Sequence, residues 1–172
     1  WKPSPKLLHL DDLLTEVVES LHDRAEQKQL TLTLTTDSAC KELIADHFSL
    51  HTVVQNLVLN ADQAMPNGGV LAISAESVEV SGEDAVPLAS GTYVRVVVED
   101  QGVGIPENIL QQVFDPYFST KEAGHGLGLS ICHSIIQRHG GHIAVRSEVG
   151  AGTVFTFHLP ASEEEAVAVT EP

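Results

Sequence analysis

Two segments in the N-terminal part of the chain carry apolar residues at helical spacing. A first helix is predicted around Asp11 and Asp12, whose carboxylates suit a helix start. Its apolar positions are Leu10, Leu13, Leu14, Val17, Val18 and Leu21. A second helix is predicted from Phe48 to Met65. Its apolar face consists of Val53, Val54, Leu57, Val58, Ala61 and Ala64. Between the two helices, residues 31–35 alternate between threonine and leucine, which predicts a strand.

The rest of the chain mixes strands with two further helices. Residues 70–80 and 93–99 are predicted to pair as a long hairpin across a polar connection. A short helix is predicted over residues 106–114, and a longer one over 126–139 that ends at Gly140 and Gly141. Two last strands surround a turn at residues 150–152. Their apolar positions, Ile143, Val145, Phe155, Phe157 and Leu159, are expected to face one side.

Helices and strands alternate irregularly with hairpins, which predicts an α/β (α+β) sandwich of two layers. We expect a mixed, mostly antiparallel sheet covered on one face by three helices. The expected domain covers residues 1–160. Residues 161–172 hold too little apolar surface to offset the entropy of ordering, so an acidic flexible tail or linker is predicted there.

Composition narrows the classes of function. The formal net charge of −15, from 24 acidic and 9 basic residues, argues against a nucleic-acid partner. Cys40 and Cys132 are far apart, so neither a disulfide framework nor a zinc site is indicated. No apolar run approaches the ~18 residues of a membrane span, so we expect a cytoplasmic domain. The sequence starts without methionine, so we expect it to be a piece of a longer protein. These residues do not exclude a membrane anchor elsewhere in that protein.

Asn56 and Asn60 stand four residues apart on the second predicted helix, opposite its apolar stripe, so both amides are expected to project from one side of it. Mg²⁺ takes oxygen ligands and keeps several waters, so such amides suit a site shared with ATP phosphates. Two solvated surface amides are the alternative. His47 and His51 have the same spacing, and a surface role is favoured for them over a metal site because no third ligand is near in sequence.

A glycine-containing loop, Asp100 to Gly104, follows a β-branched strand. Glycine lets backbone approach a flat ligand closely. A buried Asp100 would accept a hydrogen bond from the exocyclic amine of adenine, whereas guanine presents a carbonyl oxygen there. Adenine is therefore the predicted base, and a simple glycine-rich turn is the alternative.

A second glycine-rich segment, Gly124 to Leu129, opens the last predicted helix. Free N–H groups and the positive end of a helix dipole favour phosphates, which an acidic protein must attract locally. Upstream, Phe114, Pro116, Tyr117 and Phe118 suit the anchoring of a mobile loop while Lys121 reaches a phosphate. Core packing of at least one of these aromatic residues is the competing interpretation.

In order and spacing, these motifs together resemble the sensor histidine kinases. Gln55-Asn-Leu-Val-Leu-Asn60-Ala resembles the asparagine box of that family, and Asp100-Gln-Gly-Val-Gly104 its first glycine box. Phe114-Asp-Pro-Tyr-Phe118-Ser-Thr-Lys121 resembles the phenylalanine box, and Gly124 to Leu129 the second glycine box. The resemblance covers about residues 7–160. It implies the Bergerat ATP-binding fold shared with gyrase, heat-shock chaperone and mismatch-repair ATPases.

The resemblance also implies roles for individual residues. Asn60 would be the magnesium ligand, with Asn56 and Lys121 beside it in catalysis. Asp100 would contact adenine. The implied cofactors are ATP and Mg²⁺, and the implied nucleotide-binding residues are Asn56, Asn60, Gln63, Asp100, Gly102, Gly104, Ile105, Phe118, Lys121, Gly124, His125, Gly126, Leu127 and Gly128. The chain departs from the family pattern at His125, usually a small or hydroxyl residue, and at Gln63, often a lysine.

The implied activity is transfer of the ATP γ-phosphoryl group to a histidine on a dimerisation domain absent from this chain. His22-Asp23 lacks the following proline that usually marks the acceptor histidine. A glutamate activates water in hydrolysing relatives, and Asn56 holds that place and cannot act as a base. Hydrolysis is therefore expected to be slow. The expected partners are ATP, the parent's dimerisation domain and a response regulator or receiver domain. A regulatory ATP-sensing module is the alternative, and a chaperone-type hydrolase is a weaker third.

Overall fold

The computed structural model describes residues 2, 4–40, 42–119 and 128–162. The elements run in the order β1 Lys6–Leu8, α1 Leu10–Ser20, α2 His22–Lys28, β2 Leu30–Thr36, β3 Leu43–Ala45, α3 His47–Ala64, β4 Gly69–Val80, β5 Gly91–Asp100, α4 Glu107–Leu110, α5 Gly128–Arg138, β6 His142–Glu148 and β7 Gly152–Pro160. No helix in these residues is long and apolar enough to cross a membrane.

Five strands form the main sheet in the order β2-β4-β5-β7-β6. β2 runs parallel to β4, and the other three pairs are antiparallel. The predicted long hairpin is confirmed, because β4 and β5 pair from Leu71 with Asp100 to Val80 with Gly91. The expected mixed, mostly antiparallel sheet is therefore correct.

Alternate residues of the central strands point into one core. The buried positions are Leu71, Ile73 and Ala75 of β4, Val94, Val96 and Val98 of β5, and Phe155, Phe157 and Leu159 of β7. The apolar faces of α1, α3 and α5 cover this side of the sheet and join the same cluster. Period-two burial on the sheet with helices on one face confirms the two-layer prediction.

Three elements differ from the sequence prediction. The first helix ends at Ser20, and α2 continues to Lys28, where Gln29 takes a left-handed conformation with φ of 59°. β1 and β3 pair as a separate two-stranded sheet that was not predicted, because three residues are too short to show a period. The short helix predicted over residues 106–114 spans only Glu107–Leu110.

Buried carboxylates fix α3 at both of its ends. Asp46 caps the first turn by accepting hydrogen bonds from the backbone N–H of Ser49 at 2.8 Å and from that of Ser4 at 2.9 Å. The Ser4 hydrogen bond and the Ser49 hydroxyl lower the pKa of Asp46 despite its burial. Near the other end, Asp62 pairs with Arg24 at 2.8 Å and Lys28 at 3.1 Å, which ties α2 to α3.

Candidate nucleotide site

The α3 helix presents Asn56 and Asn60 at the edge of its apolar face. Both side chains are half-buried, while Val53 and Leu57 beside them are fully buried. The two amides therefore flank the apolar stripe and do not lie opposite it as predicted. This position leaves polar groups on a rigid helix, at the margin between core and solvent.

The loop after β5 packs on the C-terminal end of α3. A Cβ atom on Gly102 would lie 2.6 Å from both the carbonyl oxygen and the Cβ of Ala64. The neighbouring Val103 donates its N–H to the same carbonyl at 3.1 Å. Close approach of the two backbones therefore requires glycine here, whereas the sequence predicted that glycine admits a flat ligand.

The other side of this loop is held by the β6–β7 hairpin. The N–H of Ile105 donates to Ser147 Oγ at 2.8 Å, and Gly150 donates to the carbonyl of Val103 at 2.9 Å. Gly104 has φ of +75°, and a Cβ there would lie 2.2 Å from the Glu148 carbonyl oxygen. The loop is thus clamped between a helix end and a hairpin turn.

Asp100 is 6% exposed at the end of β5. Its Oδ1 accepts hydrogen bonds from the N–H of Gly102 at 2.8 Å and of Thr153 at 3.3 Å. Burial raises the pKa of Asp100, although these two hydrogen bonds oppose the shift, and the charge of Glu99 adds to it. Both of these backbone donors therefore meet the same carboxylate oxygen.

The N-terminus of α5 approaches α3 near Asn56. A Cβ on Gly128 would lie 3.6 Å from Asn56 Oδ1. One turn further along α5, the buried thiol of Cys132 contacts the same part of α3 and donates to the Val53 carbonyl at 3.7 Å. The first residue of α5 and the first asparagine of the pair are therefore neighbours.

The α3 helix thus joins two walls. The Asp100 loop meets it at Ala64, and α5 meets it at Asn56, eight positions earlier. At ~1.5 Å per residue these contacts are ~12 Å apart along the helix. Asn60 lies midway between them. The arrangement places the buried carboxylate of Asp100 beyond one end of this stretch of α3 and the half-buried amide of Asn56 at the other.

The aromatic residues of the segment Phe114 to Phe118 are divided between core and surface. The Phe114 ring lies 5.6 Å from the ring of His133 and 6.2 Å from that of Phe155, so the core-packing interpretation holds for this residue. Phe118 is half-buried. Tyr117 is 80% exposed and has φ of 66°, which is uncommon for a residue other than glycine.

The remaining predicted residues are exposed, lie outside the described residues or contact a different helix. Gln63 is exposed on α3. Lys121, Gly124, His125, Gly126 and Leu127 lie outside the described residues. His47 and His51 both face Glu16 of α1, at 3.3 and 3.8 Å. Among residues 2, 4–40, 42–119 and 128–162, no three His, Cys, Asp or Glu side chains are grouped so as to hold a metal ion.

Sequence reasoning missed the residues that support the site from a distance. Thr153 holds Asp100 across 53 positions of sequence, and Ser147 holds Ile105 across 42. Ser147 Oγ also lies 2.8 Å from the hydroxyl of Thr153 and donates to the Gly152 carbonyl. Nothing in the local pattern marks these residues. The pairing of β5 with β7 brings Thr153 to Asp100, and the pairing of β7 with β6 brings Ser147 beside Thr153.

A family model described as histidine kinase-, DNA gyrase B- and HSP90-like ATPase matches residues 45–163, the part of the chain that holds both walls. The chain belongs to this family. Sensor histidine kinase ZraS of Escherichia coli (strain K12) is 37% identical over 162 residues, which are 92% of this chain and 32% of ZraS. The chain therefore spans about a third of the length of this kinase.

Solved structures agree with the assignment to the histidine kinase-like ATPases. The nucleotide-free catalytic domain of histidine kinase ThkA has a TM-score of 0.76 and 31% identity, covering 92% of this chain and 96% of that one. Full-length ShkA in complex with AMPPNP has a TM-score of 0.78 and 25% identity, covering 94% of this chain and 32% of that one. ThkA in complex with response regulator TrrA also matches, with a TM-score of 0.71, 29% identity and coverage of 92% and 42%. The chain is the ATP-binding catalytic domain of a sensor histidine kinase.

Proposed function

We propose that this domain binds ATP with Mg²⁺ along α3 and donates the γ-phosphoryl group to a histidine on a dimerisation domain. The observation that carries the proposal is that α3 contacts two other parts of the chain. The loop that begins at Asp100 packs against its C-terminal end, and Gly128 of α5 lies beside Asn56. Asn60 lies between them. A rigid helix that fixes both ends of a ligand supplies the positioning on which phosphoryl transfer depends.

The Asp100 end suits adenine. Its Oδ1 is occupied by the N–H groups of Gly102 and Thr153, so Oδ2 would accept the exocyclic amine. Guanine would place a carbonyl oxygen against the same carboxylate oxygen, and two acceptors repel. The site is therefore proposed to select ATP over GTP.

The Gly128 end suits phosphates. Residues 128–138 form a helix of three turns, whose N-terminal N–H groups and dipole favour negative charge. A protein with a net charge of −15 needs such a local attraction to hold a triphosphate. We assign Asn56, Lys121 and the segment Gly124 to Gly128 to this end, on the strength of their places in the family motifs.

Asn60 fits a magnesium ligand by its chemistry. Its half-buried side chain offers an amide oxygen, and oxygen ligands together with retained waters are what Mg²⁺ prefers. When bound, the ion would neutralise charge on the phosphates during transfer. Asn60 would hold it beside Asn56, so both amides face the triphosphate.

Asn56 separates this site from a hydrolase. An amide does not take a proton from water at neutral pH, so the position cannot serve as a general base. The nucleophile is then an incoming neutral imidazole from the dimerisation domain, and the domain's contribution is alignment and charge stabilisation. We propose a response regulator as the later acceptor, as the complex of ThkA with TrrA suggests.

The first test is binding of Mg-ATP by calorimetry. Asn60→Ala should abolish magnesium-dependent binding, whereas Asn67→Ala, an exposed amide in the turn after α3, should bind like the wild-type chain. Radiolabelled ATP and the parent's dimerisation domain should then yield acid-labile, base-stable phosphate. Binding without such phosphate would favour an ATP-sensing module. Steady ATP hydrolysis retained in Asn56→Ala would favour a hydrolase.

A further inference from the structure

The α5 helix lies antiparallel along α3 and contacts it near both of its ends. At its start, a Cβ on Gly128 would lie 3.6 Å from Asn56 Oδ1. Just after its last turn, His139 Nε2 lies 3.3 Å from the backbone nitrogen of Asp46, the N-cap of α3. These two contacts, eleven residues apart on α5 and ten apart on α3, define how far α5 lies along its neighbour.

We infer that His139 is a positioning residue that fixes α5 lengthwise on α3 and so holds Gly128 beside Asn56. The inference rests on the proposed function, in which this end of α5 meets the phosphates of ATP. His139 lies ~16 Å from Gly128 at ~1.5 Å per residue, so it acts through the helix and not by contact with the ligand.

Both ring nitrogens of His139 have a partner. Nδ1 lies 2.8 Å from the carbonyl oxygen of Ile135, one turn earlier on α5. A carbonyl only accepts, so Nδ1 carries the proton and Nε2 keeps a lone pair. That lone pair accepts the N–H of Asp46. The ring therefore joins the C-terminal end of α5 to the N-terminal end of α3 in one fixed orientation.

Asp46 is a firm anchor for this hydrogen bond. It is buried, and its carboxylate accepts the N–H of Ser49 at 2.8 Å and that of Ser4 at 2.9 Å. N–H groups at the start of a helix have no acceptor within that helix, so His139 supplies one from outside. Removal of the Nε2 acceptor would leave a donor with little access to water, which costs free energy.

Other contacts of α5 with α3 and the core restrain its lengthwise position less. Ile136 is fully buried, but hydrophobic contacts are not directional. Cys132 donates to the Val53 carbonyl at 3.7 Å, and a thiol is a weak donor. The hydrogen bond from Asp46 to His139 is therefore the directional contact at this end of α5.

Loss of the His139 hydrogen bond should let α5 shift along α3. Gly128 would then leave its place beside Asn56, and the proposed phosphate end of the site would lose its alignment. The base end would keep its alignment, because the loop after Asp100 is held by the Ala64 carbonyl.

Two amide substitutions separate this role from general packing. In His139→Gln, the amide reaches the position of Nε2 and can accept the N–H of Asp46. In His139→Asn, the shorter side chain reaches only the position of Nδ1, so it can donate to Ile135 but leaves Asp46 without this acceptor. Each variant keeps one of the two hydrogen bonds, so thermal unfolding should show similar losses of stability.

Calorimetry compares the binding of Mg-ATP with that of adenosine, which has no phosphates. We expect His139→Asn to raise the Kd for Mg-ATP about two- to tenfold, the value of one net hydrogen bond, and to leave the Kd for adenosine unchanged. His139→Gln should bind Mg-ATP within about twofold of the wild-type chain. Equal Mg-ATP affinities in the two variants, or an equal loss for adenosine, would overturn the inference.

Nitrogen NMR of the wild-type chain tests the hydrogen bond without any substitution. At about pH 8, where an ordinary imidazole is neutral, His139 should carry its proton on Nδ1 and have an unprotonated Nε2. A proton on Nε2 would overturn the inference even if the asparagine variant fails to fold. Failure of the wild-type chain to bind Mg-ATP would instead overturn the proposed function.

Discussion

The substitution Asp100→Asn tests base recognition while leaving the local fold in place. The amide oxygen of asparagine can accept the two hydrogen bonds that Asp100 Oδ1 accepts from Gly102 and Thr153. The other oxygen becomes an NH₂ group. Because burial raises the pKa of Asp100, the folded state disfavours its charge, so a neutral asparagine should not lower stability at pH 7.

The effect on ATP should be large. A hydrogen bond to a charged acceptor contributes about 1.5–3 kcal/mol, which corresponds to about a 10- to 150-fold rise in Kd. The new NH₂ group also meets the adenine amine as a second donor, which places the loss of Asp100→Asn toward the upper end of this range. GTP should gain relative to ATP, because guanine presents an acceptor to that NH₂ group.

Calorimetry with Mg-ATP and Mg-GTP, together with thermal unfolding, measures these effects. Glu99→Gln is the matched control, because it removes the neighbouring exposed carboxylate and should leave ATP affinity unchanged. Asp100→Ala should unfold more easily, since two buried N–H groups lose their acceptor at about 1–3 kcal/mol each. A folded Asp100→Asn variant that binds ATP like the wild-type chain would refute the assignment of adenine to this carboxylate.

Two further predictions concern stability. Gly104→Ala should destabilise the domain by several kcal/mol in urea unfolding, because a Cβ would lie 2.2 Å from the Glu148 carbonyl oxygen. Gly150→Ala is the control, because Gly150 has a similar φ but a Cβ there would meet nothing within 4 Å, and it should cost about 1 kcal/mol. Equal costs would contradict the clamp on the loop. Burial and the charges of Arg95 and His142 lower the pKa of His158 below its ordinary value of 6.5, so the unfolded chain binds more protons near that pH. The free energy of unfolding should therefore fall as pH drops below 6.5, and His158→Gln should show a smaller fall; identical pH slopes would contradict this role.

The sequence predicted the framework of the site because short-range patterns determine it. The apolar face of α3 and the alternation of β4, β5 and β7 depend on spacings of two to four residues, and each appears where it was expected. The order of the asparagine, glycine and phenylalanine motifs indicated the protein family. Glycine at position 102 was expected to admit a flat ligand, and the structure shows Ala64 at the end of α3 against it.

Long-range contacts account for what could not be predicted. The support of Asp100 by Thr153 depends on the register of β5 with β7, and the hydrogen bond from Cys132 to the Val53 carbonyl depends on the packing of α5 on α3. Neither relation leaves a local signal. The parallel pairing of β2 with β4 is likewise invisible in the threonine–leucine alternation, which is the same for either direction.

The two edges of the main sheet differ in their protection against other chains. β6, at one edge, carries His142, Arg146 and Glu148, and charged side chains on an edge strand discourage pairing. β2, at the other edge, reads Leu-Thr-Leu-Thr-Leu-Thr-Thr and has no charge and no proline. No strand of the described residues pairs with its outer side. A seven-residue segment of this kind has the features of a cross-β segment, so β2 is where self-association of the isolated domain would begin.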